Sequence, residues 1–281
     1  MLMALRCAFR GFGSLAGLTA LLPVLLAAAG APALAAPRIA PHIAIYTLSL
    51  GKSTGGRAVT HANGRIEFKW SEGCDGWTIS QRTLMVLSNS QGRNLQSSWT
   101  LDAWESKDGL SYRFAVRRAE GGHDPVETRG KARLDGPNLG GRVDYSAPEE
   151  RMVLLPKGTV FPTRHSLDVL AAAEGRELLL WRTVFDGTGA EGLFGVNAAV
   201  AQAIPEGAAP SFDSPLIAGV QSWRMRFAYF DVDQQTAEPD HEQALRIYAN
   251  GVVDELEFDY SDFALEASLE RLEALPSPDC S

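Results

Sequence analysis

The chain has 281 residues, enough for one large domain or two small ones, and its apolar content of 45% is ordinary for a globular protein. Its 34 Asp and Glu outnumber its 26 Lys and Arg, for a formal net charge of −8. That balance argues against nucleic acid and anionic headgroups as partners, because like charge repels.

At the N-terminus, Arg6 and Arg10 precede a Leu/Ala-rich stretch from Leu15 to Ala29, and no acidic residue occurs through Ala36. With the small residues Ala33-Leu34-Ala35, this layout predicts a secretory signal at 1–35, cut after Ala35, and one mature domain at 36–281. The alternative is a retained anchor, since the apolar stretch could nearly span a bilayer; Gly30 and Pro32 favour removal. Cys7 lies before the apolar stretch, where it cannot be a lipid-modified cysteine of the mature chain. No second apolar run approaches spanning length, so no transmembrane segment is expected after cleavage and the expected location is the periplasm. Taking 35 residues from 281 leaves 246, and losing Arg6 and Arg10 leaves 24 basic against 34 acidic side chains, a net of −10.

Cys74 and Cys280 are then the remaining cysteines, and in an oxidising compartment they are expected to pair. Chain entropy for a loop of that length gives about 5 kcal/mol as an upper value. Two free thiols or an intermolecular bridge are the alternatives.

Most of the chain from Ile43 onward alternates with a period of two, the signature of strands with one buried and one wet face. Strands are predicted at Ile43–Leu50, Gly64–Trp70 and Trp77–Leu87. A hairpin follows, in which Asp108-Gly109 joins Trp99–Lys107 to Ser111–Arg117. Further strands are predicted at Lys131–Leu134, Gly141–Tyr145 and Arg151–Leu155. Thr163 is then placed to cap a short helix with Leu167, Leu170, Ala171 and Glu174 on one face, ended by Gly175. Strands resume at Leu178–Phe185 and at Trp223–Tyr229, where Trp223, Met225, Phe227 and Tyr229 alternate with Arg224, Arg226 and Ala228. Asn250-Gly251 predicts a second hairpin between Ala244–Ala249 and Val252–Tyr260. Phe263–Leu269 fits a strand, although Leu265, Leu269 and Leu272 also fit a helix. The expected architecture is a mainly β, continuous antiparallel sheet with one short helix and no fixed-period repeat.

Motifs for chemistry are sparse. Gly187-Thr188-Gly189-Ala190-Glu191-Gly192 matches the dinucleotide-binding pattern, but that fold needs parallel strands with crossover helices, so turn glycines are the better reading. The histidines at 42, 61, 123, 165 and 241 show no metal-ligand spacing, and no nucleophile motif occurs. No metal or other cofactor is called for. His165 is the titratable group of most interest, because a helix lying in a β concavity would aim side chains inward. The alternative, favoured by the absence of an acid or nucleophile marking it, is a surface or cap-proximal histidine. Trp70, Trp77, Trp99, Trp104, Trp181 and Trp223 sit in or beside predicted strands, where core packing is the default. A long curved sheet with little helix to cover it must otherwise enclose a space, which predicts an apolar cavity.

Segments spread along the chain carry a resemblance: Tyr46-Thr47-Leu48-Ser49-Leu50, Gly64-Arg65-Ile66-Glu67-Phe68, Cys74-Asp75-Gly76-Trp77-Thr78 and Phe161-Pro162-Thr163-Arg164-His165. Toward the end follow Tyr248-Ala249-Asn250-Gly251, Asp259-Tyr260-Ser261-Asp262-Phe263, Leu272-Glu273-Ala274-Leu275-Pro276 and Pro278-Asp279-Cys280. The chain resembles the periplasmic cell-envelope integrity proteins of the EipB type, from alphaproteobacteria. The resemblance implies a spiral-like, open antiparallel β-barrel with a cup-shaped concavity, held shut by Cys74–Cys280. It carries over no catalytic residues.

The expected function is therefore non-enzymatic: binding a lipid, an acyl chain or a segment of another envelope protein in the concavity, with Trp223, Met225, Phe227, Tyr229 and His165 as candidate ligand-binding residues. The runner-up is a periplasmic hydrolase or transferase acting on an envelope component, with His165 as its first candidate group. An outer-membrane barrel is disfavoured, since several predicted strands would present charges to lipid.

Overall fold

The computed structural model describes residues 37–54, 59–188, 192–232 and 238–280. The predicted signal segment at 1–35 lies outside the described residues, as does the middle of the glycine motif at 189–191.

Among these residues, fifteen strands and one helix follow in chain order. The first eight are β1 (His42–Ser53), β2 (Val59–Glu72), β3 (Gly76–Asn89), β4 (Asn94–Ser106), β5 (Ser111–Glu120), β6 (Val126–Gly136), β7 (Gly140–Ala147) and β8 (Arg151–Leu155). After β9 (Thr159–Val160) comes α1 (Pro162–Glu174), then β10 (Leu179–Phe185), β11 (Leu193–Ile204), β12 (Ser222–Asp231), β13 (His241–Tyr248), β14 (Val253–Asp259) and β15 (Phe263–Ala274). All strands belong to one sheet in the order β8-β7-β6-β5-β4-β3-β2-β1-β15-β14-β13-β12-β11-β10-β9. Two meanders thus run outward from a central antiparallel pair, β1 with β15, in which Tyr46 is registered with Leu269 and Leu48 with Ala267. The sheet curls into a nearly closed barrel whose two free edges, β8 and β9, are neighbours in sequence.

Both predicted hairpin turns form. Gly109 and Gly251 adopt φ of 69° and 77°, the left-handed region the turns demand. The ambiguous segment from Phe263 is a strand: Leu265 and Ala267 are buried while Glu266 and Ser268 point outward, and its ladder with β1 runs on to Ala274. The strand β11 was not predicted. Gly195, Ala198, Ala199, Ala201 and Ala203 give it weak β-propensity, and its small residues serve packing instead, since a Cβ on Gly195 would lie 2.5 Å from the Trp181 ring.

Cys74, in the β2–β3 turn, and Cys280 form a disulfide with Cα atoms 5.6 Å apart. It fastens the tail beyond β15 to that turn, where the β1–β15 ladder has just been extended by Leu275 N–H donating to Pro41 O at 2.8 Å. On the outer face, charges pair across strands, as in Arg117–Glu127, Arg224–Glu255 and Arg226–Glu242. The apolar faces turn inward. One core joins α1 to the C-terminal meander through Val169, Leu170, Val184, Val196, Trp223, Met225 and Phe227. Another fills the N-terminal meander around Tyr112, Phe114, Tyr145, Phe161 and Phe185.

The helix departs from its predicted register. Its N-cap is Phe161, in extended backbone, with Pro162 in the first turn and no capping side chain of its own. Thr163 is fully buried, and the cap is supplied from β4: the Glu105 carboxylate accepts from the N–H of Thr163 at 2.7 Å and of Arg164 at 2.9 Å. Phe161 is held by stacking on Tyr112 at 5.2 Å, which fixes where the helix begins. The buried face is Thr163, His165, Val169, Leu170, Ala172 and Ala173, whereas Ala171, predicted to share a face with Leu170, is exposed. At the other end, Gly175 is right-handed and Arg176 takes the left-handed position at φ 63°. The N–H of Arg176 and of Glu177 donate to Ala173 O and Ala172 O, closing the helix with a Schellman motif.

Candidate functional site in the barrel

The barrel encloses a cavity of about 480 Å³, within the range of small-molecule sites. The N-terminal meander supplies His42 and Tyr46 from β1, Ile66, Phe68 and Trp70 from β2, and Trp99 and Leu101 from β4. Alternate positions such as 66, 68 and 70 reach it together because a strand repeats its face every second residue. The C-terminal meander adds Phe227 and Tyr229 from β12, Leu245 and Ile247 from β13 and Leu256 and Phe258 from β14. The helix contributes Pro162, His165, Ser166 and Val169, one face at spacings of three and four.

Of the predicted binding residues, the structure brings His165, Phe227 and Tyr229 into the cavity wall, while Trp223 and Met225 pack in the core without lining it. The surface placement of His165 does not hold: the residue is 8% exposed, and its ring meets Phe227 edge-on at 6.2 Å. The cause is the helix register, which turns position 165 toward the barrel axis. Burial lowers the His165 pKa to about 4, with Asp168 opposing and Arg182 reinforcing the shift, so the ring is neutral near pH 7. Asp168 does not serve it as an acid partner in hydrogen bonding; its two carboxylate oxygens accept from Arg164 at 2.9 Å and Arg182 at 2.8 Å.

His42, buried in the same wall, donates from Nδ1 to Ala40 O at 2.7 Å, which leaves Nε2 as the acceptor of the neutral ring; burial lowers its pKa. Asp186 accepts from Thr188 N–H at 2.7 Å and Thr188 Oγ1 at 2.8 Å, and burial pushes its carboxyl up to about 6. The glycines of the nucleotide-like motif that are described act as turn residues: Gly187 and Gly192 both have positive φ, and Asp186 N–H donates to Gly192 O at 2.9 Å to close the β10–β11 loop. At one part of the wall, Tyr229, His241 and Tyr260 stack in succession, with centroids 4.5 and 6.0 Å apart. No group of three or more His, Cys, Asp or Glu among the described residues is arranged to hold a metal ion, and no described helix is long and apolar enough to cross a membrane.

Sequence reasoning weighed Trp70 as core first and cavity second, and missed Asp186 as a site residue and Glu105 as the helix anchor. The alternation of Ile66, Phe68 and Trp70 could have raised the cavity reading. Nothing local marks Glu105, whose partners lie on an element 58 positions away.

A family model described as EipB-like matches residues 33–276. The chain belongs to the EipB-like family. It is 29% identical over 256 residues, 88% of each chain, to the cell envelope integrity protein EipB of Brucella abortus (strain 2308). The fold is that of a crystallised β-barrel-like protein of the domain of unknown function DUF1849 from Brucella abortus, with a TM-score of 0.78 and 24% identity over 86% of this chain and 100% of that one.

Proposed function

We propose that this EipB-like protein supports cell envelope integrity from the periplasm, without catalysis, by holding the apolar part of a lipid or acyl chain inside its barrel. The observation that carries the reading is the cavity of about 480 Å³, walled mainly by aromatic and aliphatic side chains from both meanders and the helix. The name of the Brucella relative supports the envelope role. The non-enzymatic reading draws on His165, the best candidate for acid–base work, being neutral and lacking a hydrogen-bonded carboxylate to orient it.

An extended segment of an envelope protein is the second reading, and a different place favours it. On its outer side β10 pairs with β9 only at Thr183 and Val184, and Leu179 and Trp181 beside that edge are 66% and 55% exposed. An unpaired strand edge recognises another extended backbone.

Native mass spectrometry of the protein purified gently from its own cells tests both. A lipid-sized adduct lost on denaturation is the expected result. A polypeptide adduct would move the function to the β10 edge, and a bare mass across preparations would count against both.

A further inference from the structure

The wall of the cavity carries almost no charge. Of its 29 described residues none is Lys or Arg, Asp186 is the single carboxylate, and burial disfavours the cationic forms of His42, His165 and His241. A carboxylate or phosphate drawn inside would therefore lose its water and find no cation in exchange.

The polar atoms of the wall are mostly matched within the protein. Tyr46 Oη donates to Val253 O at 2.7 Å, Tyr112 Oη to Asp186 O at 3.1 Å, Tyr229 Oη to Gln243 Oε1 at 3.3 Å and Ser166 Oγ to Pro162 O at 2.9 Å. Two lining side chains carry a polar atom that is both shut from solvent and unpartnered. Trp70 Nε1 and His165 Nε2 are shut from solvent without a hydrogen-bond partner, on residues 5% and 8% exposed. Both side chains border the same apolar cluster, Trp70 as a member and His165 through Phe227. An indole N–H can only donate, and a neutral imidazole nitrogen donates or accepts according to its tautomer. Each such group, shut from solvent, carries a desolvation cost that a matched ligand atom would remove.

We propose that the cavity selects an uncharged acyl compound, an ester or amide whose oxygen accepts from Trp70 Nε1 once the indole turns toward the cavity, and discriminates against the free carboxylate of the same chain. This rests on the lipid-binding reading above and gives it a ligand class: neutral acyl ester rather than free fatty acid.

The test uses the full purified protein, stripped of bound lipid, with 1-aminoanthracene as a neutral fluorescent probe displaced at pH 8 by monopalmitoylglycerol, by palmitate and by tetradecane. Monopalmitoylglycerol is expected to displace the probe at concentrations at least tenfold below palmitate. Trp70→Phe is expected to weaken the ester about fivefold, the equivalent of about 1 kcal/mol for one hydrogen bond, and to leave tetradecane unchanged. Palmitate displacing as well as the ester would overturn the selectivity while leaving lipid binding intact, and equal losses for ester and tetradecane would reduce Trp70 to packing. Failure of probe and all three compounds to bind would remove the lipid-binding reading itself. The wild-type comparison decides the selectivity even if Trp70→Phe folds poorly.

Discussion

Glu105 joins the stability of the barrel to the position of the helix that carries His165. Its side chain is fully buried, and its two oxygens take the N–H groups of Thr163 and Arg164. Burial, opposed by those hydrogen bonds, pushes its carboxyl up to about 7 from a reference of 4.5. A carboxyl that holds its proton more tightly when folded contributes stability that is complete below pH about 4.5 and is lost as pH rises through about 7. The difference corresponds to about 3 kcal/mol, at about 1.4 kcal/mol per unit. The histidines with lowered pKa act in the opposite sense, gaining stability as pH rises toward 6.5, and Asp186 acts in the same sense as Glu105. Glu105→Gln removes the Glu105 contribution alone and keeps the side-chain volume. Urea unfolding of both proteins from about pH 4.5 to about pH 8.5 should give a difference curve in which the wild type loses about 3 kcal/mol relative to the variant as pH rises. A flat difference curve, or one of opposite slope, would refute the argument that burial outweighs the two backbone donors.

Replacing Cys74 and Cys280 together by Ser should lower the unfolding free energy by up to about 5 kcal/mol for the loop of 206 positions, less where the unfolded chain keeps structure. Denaturant midpoints under oxidising conditions measure it, with the far-ultraviolet spectrum retained because the β1–β15 ladder remains. Arg176→Gly should stabilise by about 0.5–1 kcal/mol, because the left-handed C′ position at φ 63° suits glycine and not arginine. A drop in melting temperature for this variant would mean that the Arg176 side chain does more than occupy the turn.

The sequence carried the strands through alternation and the two sharp turns through Asp-Gly and Asn-Gly, because both are local in origin. No such local signal marks β11: its Ala and Gly positions make sense only beside Trp181, a neighbour the pattern of β11 does not contain. The helix was visible, its register was not, since Thr163 looks like a cap and the actual cap comes from Glu105 on another strand. The site behaves the same way. Phe227 and Tyr229 follow from strand alternation, while the meeting of Trp70 and His165 in one wall depends on how far the sheet curls and how deep the helix sits. The Trp223 and Met225 positions share the inward face with Phe227, but they lie where the wall is filled by core.

The central β1–β15 pair also sets an order of assembly. Every other antiparallel pairing among the described residues joins strands adjacent in sequence, so each meander can zip from its own turns, whereas Thr47 and Glu270, 223 positions apart, meet only when both halves exist. A chain delivered N-terminus first holds the β1 edge unpaired until its last strand arrives. Closure then becomes the single step of high contact order, and folding should be slow there and fast everywhere else.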